Sequence, residues 1–225
     1  MIFLTGETTS RKIVPKLKEH GIGRVFVNKT PTPYEGEPWA FDNGAFIAWK
    51  NQKTWNADKY KRKLDKAHKV GEPLFAVIPD KVAQPDSLEY SMQWLDDLPN
   101  NWKWYFCLQD GMSFWDVKQI VCQHPRIEGL FLGGTSRFKS DFGREFGKIA
   151  QETNIAYHYG RTSSIDLICR AWDWGCDSCD SAFFLWNKTR MEAVYSLIKN
   201  NFKTRQLRLI NSYVIWEKNY EEEKP

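Results

Sequence analysis

The chain has 225 residues, of which 15% are aromatic, and a formal net charge of +4 at neutral pH. This length supports one large core or two small ones, and no apolar run approaches the roughly 18 residues of a membrane-spanning helix. The five cysteines lack the spacing of small secreted domains and no signal-peptide pattern opens the chain, so we expect a reduced, cytoplasmic protein without a membrane partner.

Apolar runs typical of buried strands recur along the chain and alternate with segments of helical periodicity. The predicted strands cover residues 2–5, 24–28, 39–42, 74–79, 104–109, 129–133, 155–159 and 178–183. The predicted helices cover about residues 10–20, 57–70, 86–97, 114–124, 140–153, 163–174 and 188–200. Only the second and third strands are joined by a proline-rich segment without a helical pattern.

Eight strands that alternate with helices indicate parallel pairing through right-handed crossovers. The sequence therefore predicts an α/β fold, a compact single-domain (β/α)8 TIM barrel, over residues 1–208. Residues 209–225 are predicted to form a helical, acidic C-terminal tail. A doubly wound open sheet is the alternative, but no Gly-x-Gly-x-x-Gly follows the first strand.

Polar residues and glycines cluster where the predicted strands end, which is where such a barrel builds its active site. In chain order they are Asp42, Asn43, Gly44, Asp80, Gln109, Asp110, Gly133, Gly134, His158, Asp177 and Asp180. Together they could bind a planar heterocycle and perform acid/base or nucleophilic chemistry. Taken one at a time, they also fit tight turns, helix caps or, for His158, a buried structural histidine.

Asp177 and Asp180 lie three positions apart on the last predicted strand. A strand turns residues at odd spacing to opposite faces, so only one of the two can face the barrel centre. A carboxylate held there can act as a nucleophile or a base.

The charges of the chain are segregated. Residues 11–69 carry fourteen Lys and Arg against six Asp and Glu, and residues 188–208 carry six against one, whereas residues 70–187 have a balance of −6. Such segregation is typical of a surface that binds a polyanion. The candidate nucleic-acid contacts are Lys59, Lys61, Arg62, Lys63, Arg161 and Arg190, although the first four also fit an ordinary solvated helix face.

Cys176 and Cys179 have the spacing of half a zinc site or a redox pair. No second pair and no nearby histidine completes a tetrahedral ligand set, so we expect no metal.

The order of the motifs Asp-Asn-Gly-Ala, Pro-Asp, Leu-Gln-Asp-Gly, Gly-Leu-Phe-Leu-Gly-Gly, His-Tyr-Gly-Arg-Thr and Gly-Cys-Asp-Ser-Cys-Asp-Ser resembles the tRNA-guanine transglycosylase superfamily. The resemblance runs from about residue 39 to residue 187. It is strongest to the small phage and bacterial members that insert 7-deazaguanines into DNA, which for a phage-encoded chain implies the host cytoplasm.

The resemblance implies a role for each matching residue. Asp180 matches the nucleophile and Asp42 the general base. Asp80 and Gln109 match residues that hold the guanine edge, Gly133 and Gly134 supply a backbone donor, and His158 lies where the family packs a side chain against the base. Asn43 replaces the serine of the family motif Asp-Ser-Gly-Gly, so we group it with the substrate-binding residues.

Two departures favour DNA over tRNA: no cysteine follows Cys179 to complete the family zinc site, and there is no room for an appended RNA-binding domain. The implied partners are DNA, guanine and a free 7-deazaguanine base, preQ0 or a derivative. The reaction is a double displacement at the sugar C1′ that needs no cofactor. A nucleosidase that hydrolyses an N-glycosidic bond and a non-catalytic nucleic-acid-binding barrel remain the alternatives.

Overall fold

The computed structural model describes residues 1–27, 29–185 and 187–200. Eight parallel strands pair in sequence order, and the first also pairs with the last, so the sheet closes into a barrel. Helices alternate with the strands. The predicted single-domain (β/α)8 barrel is confirmed over these residues.

The strands are β1 (Ile2–Gly6), β2 (Gly23–Phe26), β3 (Ala40–Phe41), β4 (Phe75–Val77), β5 (Trp104–Leu108), β6 (Ile127–Leu132), β7 (Ala156–Tyr159) and β8 (Ser178–Asp180). The helices are α1 (Val14–Glu19), α2 (Ala45–Lys50), α3 (Ala57–His68), α4 (Ser87–Met92), α5 (Phe114–Gln123), α6 (Ser136–Glu152), α7 (Ile165–Asp173) and α8 (Lys188–Lys199).

The ends of several elements are shifted by up to four residues from the sequence-based prediction, and three elements differ more. Helix α2 was not expected, because its six residues are too few to show a helical period. The helix predicted over 86–97 is α4 followed by a separate 3-10 turn, Leu95–Asp97. Strand β8 stops at Asp180 rather than running on to residue 183, which places that carboxylate at the strand end. The tail predicted over 209–225 lies outside the described residues.

The described residues of the loop between β2 and β3 form no helix, and a buried ion pair holds this loop. Arg24 on β2 donates from Nε and Nη2 to the two carboxylate oxygens of Glu37, at 2.7 and 2.8 Å. The same guanidinium donates to the carbonyl oxygens of Thr8 and Thr32. A buried charge is stable in such a place because it is both paired and hydrogen-bonded.

Alternation along each strand separates the interior of the barrel from the layer between strands and helices. The interior is filled by Leu4, Val25, Ala40, Phe75, Val77, Tyr105, Cys107 and Phe131. Phe75 and Tyr105 stack with ring centroids 4.3 Å apart. These side chains fill the barrel below the carboxyl ends of its strands, the end at which barrels of this kind build their active sites.

Candidate active site

A cavity of about 250 Å³ opens at the carboxyl ends of the strands. It is lined by carboxylates, amides and apolar side chains from most of the βα-units: Gly6, Val25, Val27, Asp42, Asn43, Phe46, Ile47, Val77, Asp80, Val82, Cys107, Gln109, Phe131, Gly133, Gly134, Arg161 and Asp180. Seven of the eight catalytic and substrate-binding residues predicted from the sequence are in this set. The exception is His158.

Asp180 ends β8 and reaches the cavity, whereas Asp177 precedes the strand and is exposed. The Oδ1 atom of Asp180 accepts hydrogen bonds from the backbone N–H of Arg161 (2.9 Å) and from Nε2 of His158 (3.0 Å). Both bonds fall on Oδ1, so within the described residues Oδ2 is the oxygen available to a substrate. The carboxylate of Asp177 accepts instead from the backbone N–H of Tyr157, at 2.8 Å.

His158 is fully buried beneath Asp180 and does not line the cavity. It occupies an inward position of β7, between the rings of Phe75 and Phe131, and its packing against a base stays a prediction. Its Nδ1 lies 2.8 Å from Oγ of Ser178. Because a carboxylate only accepts, Nε2 carries the proton that binds Asp180, and Nδ1 of the neutral ring accepts from Ser178.

This arrangement keeps Asp180 ionised. Burial by itself raises the pKa of the carboxyl, but the hydrogen bonds from His158 and from the backbone of Arg161 outweigh it and hold the pKa below its ordinary value. Burial lowers the pKa of His158, so the imidazole stays neutral at neutral pH. His158 acts through Asp180 and is a positioning residue.

Asp42 follows β3, and its pKa is shifted in the opposite direction from that of Asp180. Burial, together with the nearby charges of Asp80 and Asp180, raises the pKa of Asp42 from 3.8 to about 6, although its carboxylate accepts from the backbone N–H of Gly44 at 2.6 Å. Gly44 has a φ of 78°, a backbone conformation that glycine adopts without strain. Asp42 can therefore gain and lose a proton near neutral pH.

The raised pKa of Asp42 predicts how stability depends on pH. In the unfolded chain this carboxyl ionises near its ordinary pKa of 3.8, whereas in the folded protein it holds its proton up to about pH 6. The stability that the protonated carboxyl contributes is therefore fully present below about pH 3.8 and is lost as the pH rises through about 6. Asp42→Asn removes this loss. We expect the variant to gain roughly 2 kcal/mol of unfolding free energy relative to wild type between about pH 4 and about pH 7.

Urea unfolding of both proteins at the two pH values measures this difference, and the other ionisable groups cancel between them. If the difference in unfolding free energy between the two proteins does not change with pH, the raised pKa of Asp42 is contradicted.

Asp80 lies in the centre of a network of amides. Its Oδ1 accepts from Nδ2 of Asn43 at 2.7 Å, and its Oδ2 accepts from Nε2 of Gln109 at 2.6 Å. Burial raises the pKa of Asp80, and the two amide donors offset part of that rise. The Oε1 atom of Gln109 is buried and has no hydrogen-bond partner within the described residues. A buried acceptor without a donor is costly, so this oxygen is suited to a ligand N–H.

Gly133 and Gly134 differ in what they can offer a ligand. The N–H of Gly133 donates to the carbonyl oxygen of Phe131 at 2.9 Å and is therefore engaged. Of the pair predicted to supply a backbone donor, Gly134 is the one whose N–H can serve a ligand. A Cβ at position 133 would lie 2.7 Å from Sγ of Cys107, and Gly134 has a φ of 69°. Both positions therefore require glycine for this wall to form.

Arg161, which was predicted as a nucleic-acid contact, lines the cavity. Besides its backbone bond to Asp180, its Nη2 donates to the carbonyl oxygen of Gly134 at 2.7 Å. The guanidinium lies 3.8 Å from the ring centroid of Phe46. Its φ of 57° is unusual for a residue with a side chain, and such conformations concentrate at functional sites. Arg161 closes one side of the mouth.

Sequence reasoning missed Lys139, a lysine that is 5% exposed beside the site. Its Nζ donates to the carbonyl oxygen of Gly160 and lies 5.3 Å from the ring centroid of Tyr159. Burial and the charge of Arg161 lower the pKa of Lys139 to about 7. The available signal was a lysine on the apolar stripe of α6, four residues before the buried Gly143.

The remaining basic candidates do not line the cavity. Lys59 and Lys63 line a neighbouring groove. Lys61 forms an exposed ion pair with Asp97 at 3.0 Å. Arg62 is exposed on α3, and Arg190 is exposed in the first turn of α8, with its guanidinium 5.8 Å from the ring of Phe183.

Cys176 and Cys179 are buried free thiols. Within residues 1–27, 29–185 and 187–200, no group of three or more His, Cys, Asp or Glu side chains could hold a metal ion. In the same part of the chain no helix is long and apolar enough to cross a membrane.

No protein-family model and no curated protein matches this sequence. Among solved structures, RipC from Yersinia pestis matches with a TM-score of 0.51 over 93% of this chain and 98% of its own. The two sequences are 10% identical, so the likeness concerns the fold alone.

Proposed function

We propose that the protein is a DNA-guanine transglycosylase, which exchanges guanine in DNA for a free 7-deazaguanine base through a covalent aspartyl–deoxyribosyl intermediate. The observation that carries this proposal is a pair of carboxyl groups in one cavity whose surroundings push their pKa values apart, Asp180 downwards and Asp42 upwards. Such a divergence suits one group to act as an ionised nucleophile and the other as a proton carrier.

In the first displacement, Oδ2 of Asp180 attacks C1′ of the deoxyribose and the C1′–N9 bond breaks. The bonding electron pair leaves with guanine, whose N9 takes the proton held by Asp42. In the second displacement, the incoming base gives its N9 proton to Asp42, its N9 bonds to C1′ and the carboxylate of Asp180 leaves. Protons and electron pairs balance over the cycle, and no oxidant or reductant is consumed.

The wall opposite the nucleophile supports guanine as the base. Asp80 and Oε1 of Gln109 are acceptors, which suit the N1–H and N2–H₂ donors of guanine. The N–H of Gly134 suits O6. Adenine presents an acceptor at N1 and would leave a buried acceptor of this wall unpaired, which is the stronger form of discrimination. The apolar side chains of Phe46 and Phe131 line the same cavity and can cover the faces of a planar ring.

A base inside a duplex cannot reach this cavity, so the target nucleotide must be flipped out, at an unstacking cost of a few kcal/mol. Lys59 and Lys63, which line the groove next to this cavity, suit the phosphates that remain outside. Water must be excluded from the covalent intermediate, because hydrolysis would leave an abasic site.

The proposal is tested with DNA and labelled guanine. We expect wild-type protein to incorporate the label into DNA, and an unlabelled 7-deazaguanine base to chase it out again. Release of free guanine without incorporation would identify a nucleosidase, and DNA binding without either event a non-catalytic barrel. Either of these two results would contradict the proposal.

A further inference from the structure

A second cavity, of about 230 Å³, lies beside the catalytic pocket between α2 and α3. Asn43 and Ile47 line both cavities, so the two are contiguous. The cationic side chains of the second cavity are Lys53, Lys59 and Lys63, and none of the described residues that line it carries a carboxylate. We call it the lysine groove.

The lysines of the groove are close enough to repel one another. Burial and the charge of Lys59 lower the pKa of Lys63, and Glu7 offsets part of that change. Glu7 is itself paired with Lys29 at 3.0 Å. An anion in the groove would relieve the repulsion between the lysines.

Two further features of the groove favour an anion. Its wall includes the N-terminus of the twelve-residue helix α3, where the side chain of Asn56 accepts from the backbone N–H of Lys59 and the helix dipole is positive. Its wall also includes Tyr60, which is 3% exposed and whose hydroxyl has no partner within the described residues. The exposed Asp58 stands in the first turn of α3 but does not line the groove.

We propose that the lysine groove binds the phosphodiester backbone of the strand next to the flipped nucleotide. This inference rests on the proposed function for the identity of the polymer. Because Asn43 and Ile47 line both cavities, a strand whose base occupies the catalytic pocket can continue from there into the groove. Lys61 belongs to another surface, since it pairs with Asp97 and covers the ring of Trp94 at 5.3 Å.

The test uses oligothymidylate, which presents the backbone without guanine, and the dependence of its affinity on salt. Each lost phosphate contact lowers the slope of log K against log salt by about 0.7 for a single strand. The variant Lys59→Gln with Lys63→Gln is therefore expected to lower the slope by about 1.4. The matched control is Lys61→Gln with Lys66→Gln, on the same helix but outside the groove, and we expect no change in its slope. Thermal unfolding checks that both variants are folded.

Equal slopes for the groove variant and its control would overturn the inference. A second arm measures competition by thymidine 5′-monophosphate. A groove variant that loses this competition but keeps the wild-type slope for oligothymidylate would also overturn the inference and would assign the groove to a free mononucleotide. If the groove effect is found but no base exchange occurs, the groove stands and the proposed function falls.

Discussion

Replacing Asp180 with asparagine is expected to lower base exchange by roughly 10⁴-fold or more and to abolish the covalent adduct with DNA. The amide has the shape of the carboxyl and can still accept from His158 and Arg161 on its oxygen. It has no anionic oxygen to attack C1′. Exchange of labelled guanine and denaturing electrophoresis of the protein–DNA adduct measure the two effects.

The matched control is Asp177→Asn, which makes the same chemical change three residues away on an exposed aspartate that lies outside the cavity. We expect it to keep the exchange rate within a few-fold of wild type. Near-normal base exchange by Asp180→Asn would contradict the proposed mechanism. Equal losses of exchange in both variants would indicate damage to the fold rather than to the chemistry.

Replacing Asp80 with alanine is expected to weaken guanine binding by roughly tenfold to a hundredfold. The loss of a charged hydrogen bond in a closed pocket costs about 1.5–3 kcal/mol. The change also leaves the amide groups of Asn43 and Gln109 without the acceptor that holds them, so we expect unfolding to become easier by about 1–3 kcal/mol. Isothermal titration with guanine and urea unfolding measure these two changes.

Asp86→Ala serves as the control for Asp80, because Asp86 follows the same strand but is exposed and pairs with Lys81 on the surface. We expect wild-type guanine affinity in this variant. Unchanged guanine affinity in Asp80→Ala would count against a role for Asp80 at the base edge, whatever happened to its stability.

The barrel could be predicted from the sequence because its signal is local and repeated. Each strand is an apolar run, each helix has its own period, and right-handed crossovers leave few ways to join eight such units. The strand ends were predictable for the same reason. Because side chains alternate, Ala40 and Asp42, Cys107 and Gln109, and Phe131 and Gly133 share the inward face, and each pair's second member reaches the cavity. The six-residue helix α2 is too short to give such a signal.

What only the tertiary structure decided is how groups from different units meet. The sequence places His158 at a strand end, but its partners, Ser178 and Asp180, lie on the neighbouring strand. The pairing of β7 with β8 makes His158 a hydrogen-bond partner of the proposed nucleophile.

The same holds for charge. In sequence, Lys59, Lys61 and Lys63 form one basic run, but packing against Asp97 and Trp94 separates Lys61 from the two lysines that line the groove. Sequence by itself determined which residues at the ends of the strands were candidates for the site, because alternation along a strand is a local property. Their protonation states and partners depend on burial and on distances between strands and helices, which no single segment of the chain contains.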